Sequence, residues 1–88
     1  MTRVVKKDGS YEEFDQQKIA RVTHAAGLEK EEADVLGNLI ATWMEVSGTE
    51  DISSIAIRDK VIEEMRKIND HAANVFAWYE ETKDTSRS

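Results

Sequence analysis

Cysteine and proline are both missing from the 88 residues, and tryptophan, tyrosine and phenylalanine occur only twice each. Without cysteine there is neither a disulfide framework nor a thiolate zinc site. Without proline, and with four glycines, few points can break a helix. No apolar run reaches the length of a bilayer, and no signal-peptide pattern opens the chain, so the cytoplasm is the expected location and no membrane contact is expected. A surplus of positive charge is lacking too. The net charge of −6 opposes a stand-alone nucleic-acid module, whose basic face does most of the binding. No G-x-x-x-x-G-K-[ST] loop occurs, and no nucleophile stands with a dedicated base. Catalysis is not expected.

What is present suits one small soluble domain: 40% hydrophobic and 34% charged residues, enough for one core and too few for two. The charges are unevenly placed. Residues 1–24 carry Arg3, Lys6, Lys7, Lys18 and Arg21 against Asp8, Glu12, Glu13 and Asp15, a local +1, and the remainder sums to −7. A small anion suits that beginning; a polyanion is repelled by the rest.

Val4 to Asp15 reads as a strand, a turn at Asp8-Gly9, a second strand and a helix opening on an Asp15 cap. A two-residue type I′ turn pairs Lys6 with Tyr11 and sets Val4 and Lys6 on one face with Glu12 on the other; Glu12 joins them only through a bulge or a different turn. A first helix over 16–26 carries Ile19, Val22, Thr23 and Ala26 on one face and stops at Gly27-Leu28. A second, from about 30 to 46, has Ala33, Leu36, Leu39, Ile40, Trp43 and Met44 at helical spacing and ends at Gly48. Residues 49–52 are a connection able to add a minimal strand. Ser53 or Ser54 caps a third helix striped with Ile57, Val61, Ile62, Met65 and Ile68. Asp70 caps a fourth, carrying Ala72, Val75, Phe76 and Tyr79, with Trp78 off the stripe and available to a partner. The expected fold is mainly α with a small β-hairpin (α+β): a four-helix bundle capped by a short two- to three-stranded sheet. Residues 1–83 form the domain and 84–88 a frayed polar tail.

Lys18 is the most informative single residue, because a cation in the first turn of a helix opposes the dipole. A solvated lysine losing a few tenths of a kcal/mol is the ordinary reading. The functional one gathers Lys18, the amides of that turn, Lys6 and Lys7 around phosphate. Lys6-Lys7 as charge protection of an edge strand, and Ser53-Ser54 as a plain cap, are equally ordinary. His24 and His71 have no metal spacing and read as surface residues.

Val4-Val5-Lys6-Lys7-Asp8-Gly9, then Glu12-Glu13-Phe14-Asp15, then Lys18-Ile19, resembles the opening signature of the ATP-cone domain, which runs roughly V-V-K-R-D-G, E-x-F-D, K-I. Ile52-Ser53-Ser54 with Ile57 and Val61 is similar to the family's second block, and Ala72–Tyr79 to its last helix. The resemblance spans about residues 3–80.

It implies a regulatory domain that binds ATP or dATP, with Mg²⁺ carried by the triphosphate, and performs no chemistry. Such domains open many ribonucleotide reductases, follow a zinc ribbon in a bacterial repressor of reductase genes, and occur in some archaeal kinases. The absence of cysteine disfavours the repressor. By position, the resemblance implies that Val4 and Ile19 border the base and Glu12 faces the adenine edge. Lys6, Lys7 and Lys18 hold phosphates, Ser54 adds a phosphate contact, and Arg58 lies one turn on. The pattern departs from the family at Glu80, where an Arg often follows the tyrosine, and at Lys7, where Arg is usual. The expected partners are the nucleotide and a ribonucleotide reductase or other regulated protein, or a second copy; the alternative is a degenerate ATP-cone that acts by protein contacts alone.

Overall fold

The structure, a computed structural model, describes residues 3–6, 8–48 and 51–85, the last five as backbone. Its elements are β1 (Arg3–Val5), β2 (Tyr11–Glu13), α1 (Gln16–Ala26), α2 (Lys30–Ser47), β3 (Asp51–Ser53), α3 (Ser54–Ile68) and α4 (Asp70–Thr85). The order across the sheet is β2-β1-β3, with β1 antiparallel to β2 and parallel to β3. Four helices and this short mixed sheet make an α+β fold, and the connection after α2 adds the third strand.

The hairpin turn differs from the type I′ expectation. Val4 faces Glu12 and Val5 faces Tyr11. The Gly9 amide donates to the Lys6 carbonyl at 3.0 Å, and Gly9 then takes φ +88° before the Lys6 amide meets the Ser10 carbonyl at 2.9 Å. This is a wider loop closed by a glycine bulge, and it turns Glu12 to the same face as Val4. Asp8 steadies it, its carboxylate accepting from the Ser10 amide at 3.0 Å and the Ser10 hydroxyl at 2.6 Å.

The helix ends follow local chemistry. Asp15 accepts the amides of Gln17 and Lys18 to open α1. At its other end Gly27 donates to His24 and Leu28 to Thr23, the paired bonds of a Schellman stop, and Leu28 is buried against the last turn. Ser53 caps α3 by accepting the Ile55 amide. The cap of α4 is Asn69 rather than Asp70: the Asn69 side-chain oxygen accepts the Ala72 amide, and Asp70 falls in the first turn.

Leu36, Ile40 and Met44 of α2, Ile57, Val61 and Met65 of α3, and Ala72, Ala73 and Phe76 of α4 form the core with Leu28 and Val4. Phe14, Ile19, Val22, Trp43 and Ile52 pack half-buried around it. Gly37 lets α1 come close, since a Cβ there would lie 3.1 Å from the Gln16 carbonyl. Buried Thr23 satisfies its hydroxyl on the Ile19 carbonyl at 2.8 Å. Three residues read as stripe members stay substantially exposed: Leu39 on the outer side of α2, Ile68 as the last residue of α3, and Tyr79 at the rim of the α4 stripe. Trp78 is 64% exposed. No helix is long and apolar enough to cross a membrane among the described residues.

Candidate functional site

Strand register gathers the first candidates. Val4 is paired with Glu12 on one side and Ile52 on the other, so all three share the sheet face turned to the helices. Lys6, two residues on from Val4, lies on that face, and its ammonium reaches the Glu12 carboxylate at 3.3 Å. Both side chains are about two-fifths exposed, so the pair is wet and exchangeable. Arg3 lies on the opposite face, where it meets Asp51 at 3.1 Å and stacks over the Tyr11 ring at 4.4 Å.

The parallel register sets Val5 beside Ser53, and β3 passes directly into α3. Lys6 and Ser54 therefore follow paired residues at the same end of the sheet, with Arg58 one turn further along α3. Ser54 and Arg58 are half-buried, and Arg58 Nε lies 3.7 Å from Asp59. Lys7 falls outside the described residues. Ile19 is half-buried against the core.

Lys18 is placed differently. α1 starts after β2, whose last residue, Glu13, pairs with Arg3 at the other end of β1. The Lys18 ammonium is exposed and has no ion-pair partner among the described residues. The two helix starts differ in charge. At α1 the Asp15 carboxylate already takes two amides, so the free-amide reading of that turn does not hold. At α3 a neutral hydroxyl takes one amide and no acid stands in the first turn. Of the two, α3 is the better receiver for an anion.

A shallow depression at the β2–α1 junction is lined by Glu13, Phe14, Asp15, Gln16 and Gln17. The sequence nominated none of these as ligands, and two carboxylates there oppose a phosphate. Ile52 was also missed: its place beside Val4 depends on the β1–β3 pairing, which no local signal announces. Among the described residues no cluster of three His, Asp or Glu side chains could hold a metal.

The model of the ATP cone domain family matches residues 2–83, nearly the whole chain. The chain belongs to the ATP-cone family. No curated protein gives a significant match. ATP-cones are regulatory domains rather than catalytic ones, and membership implies a nucleotide-binding regulatory role for this domain. ATP-cones bind ATP and dATP as a class.

Proposed function

We propose that this ATP-cone is an adenine-nucleotide sensor whose bound state alters its association with a partner, in the setting of ribonucleotide reduction. The match over residues 2–83 carries the reading. The donor set agrees with it. Val4 and Ile19 offer apolar surface to a base, and Glu12 an acceptor to the adenine amino group. Lys6 and Lys7 offer charge to phosphate, with Ser54 and Arg58 at the start of α3, and Lys18, at the other end of β1, adds only to the local positive charge. A triphosphate brings Mg²⁺ on its own oxygens, which needs few or no protein ligands.

The Lys6–Glu12 ion pair gives the site a resting state. Nucleotide binding exchanges that pair for two others, Glu12 with the adenine amine and Lys6 with phosphate. The cost of breaking it is small, since an exposed pair contributes about 0–1 kcal/mol.

Calorimetric titration with ATP and dATP in Mg²⁺, beside a Lys6→Ala/Lys7→Ala variant, tests the reading. Micromolar binding that is lost in the folded variant is expected. No heat and no thermal shift at millimolar nucleotide sinks it. In that case the second reading stands, an ATP-cone working through protein contacts alone, which the exposure of Trp78 favours.

A further inference from the structure

α2 has two faces with different fates. Ala33, Leu36, Gly37, Ile40 and Met44 are buried. On the opposite side Val35, Leu39 and Val46 form a second apolar stripe, with Val35 61% and Val46 80% exposed. Their spacing of four and seven keeps them in line for three turns, roughly 17 Å at 1.5 Å per residue. Half-buried Trp43 borders the stripe toward α3, where Lys60 covers its ring at 5.9 Å. No element of the described structure covers the stripe.

Its rim is acidic. Glu31, Asp34 and Glu45 project beside the apolar line, and none has an ion-pair partner among the described residues. Lys30 is the one cation between 30 and 48. Most other acids on the helices behave differently: Glu63 and Glu64 pair with lysines, and Asp70 with Arg66. An exposed apolar stripe edged by unpaired carboxylates selects its occupant by charge. A second copy of this chain lays the same acidic rim against itself, Glu45 opposite Glu31 and Asp34 in an antiparallel pair, and is repelled.

We infer that the outer face of α2 is a docking surface for a basic amphipathic helix of a partner protein. Apolar residues at i, i+4 and i+11 meet Val35, Leu39 and Val46, and Lys or Arg on the helix flank meets Glu31, Asp34 and Glu45. None of the residues assigned to the nucleotide lies on α2, so the surface stands whether or not nucleotide binds.

The test is fluorescence anisotropy of two labelled 14-residue helical peptides at 0.15 M salt, one of leucine and lysine and one of leucine and glutamate. The lysine peptide binds and the glutamate peptide does not. Val35→Ser/Val46→Ser, which leaves net charge unchanged and removes only exposed side chains, weakens binding at least roughly tenfold, the scale of about 1.4 kcal/mol of lost apolar burial. Glu31→Gln/Asp34→Asn/Glu45→Gln weakens it similarly, and Trp78→Ser leaves it unchanged. Three outcomes overturn the inference. One is no binding of the lysine peptide. Another is equal binding by the serine variant, which shows attraction to net charge alone. The third is a sedimenting dimer that dissolves in the serine variant, which shows the stripe covered by a second copy.

Discussion

At the scale of single residues, two ion-pair groups behave differently because they differ in burial. The Lys6–Glu12 pair is exposed, and Glu12→Gln is expected to change stability by less than about 1 kcal/mol in a denaturant titration. If Glu12 reads the adenine amine, the same variant narrows the preference for ATP over GTP, because guanine carries an oxygen acceptor where adenine carries the amine. An unchanged preference removes Glu12 from base recognition. Glu64 is one of only two buried polar or charged residues among those described. Its carboxylate meets Lys67 at 3.1 Å and Lys60 at 3.2 Å. The Lys67 hydrogen bond, with Lys60 behind it, holds the Glu64 carboxyl below its ordinary range despite the opposing effect of burial. A carboxyl lowered on folding adds stability above its unfolded pKa of about 4.3, and that contribution is lost as pH falls through the lower folded value. Thermal melts therefore show wild type above Glu64→Gln at pH 7, with the gap closing below about pH 4. A gap independent of pH would mean that packing, not charge, sets the effect.

At the scale of elements, the helices were more legible than the sheet. Asp15 and Gly27 each carry the chemistry of a helix end, so the bounds of α1 could be read directly. The cap of α4 was harder, because Asn69 and Asp70 are both good caps and adjacent; the tight α3–α4 turn selects Asn69. Asn69→Ala is expected to cost about 1 kcal/mol in a chemical melt, and Asp70→Ala less than half of that. The hairpin register was not legible. Asp8-Gly9 serves a two-residue turn and a bulged loop equally, and Tyr11-Glu12-Glu13 has no alternating apolar pattern to choose between them. The bulge decides which face Glu12 occupies, so the clearest geometric feature of the candidate site was out of reach of pattern alone. Gly9 holds φ +88°, so Gly9→Ala is expected to destabilise the hairpin by about 1 kcal/mol or more. An unchanged melt would contradict the bulge.

At the scale of the whole molecule, the family was readable because its first block is a run of local sequence, and the match over residues 2–83 shows it. The placement of Lys6, Ser54 and Arg58 at one sheet end was not readable, since it comes from the parallel pairing of β1 with β3 across 48 positions. That topology brings Lys6 and Glu12 to the end where α3 begins and leaves Lys18 at a helix start already filled by Asp15. The charge balance fits the same picture, with basic side chains gathered at the beginning of a chain that is otherwise acidic. We place the proposed nucleotide site where β1 and β3 end and α3 starts. Amide chemical-shift mapping of the full chain during an ATP–Mg²⁺ titration tests it most directly. The largest shifts are expected at Val4–Lys6, at Glu12 and from Ser53 to Arg58. Shifts confined to the depression at Glu13–Gln17, or none at millimolar nucleotide, would contradict it.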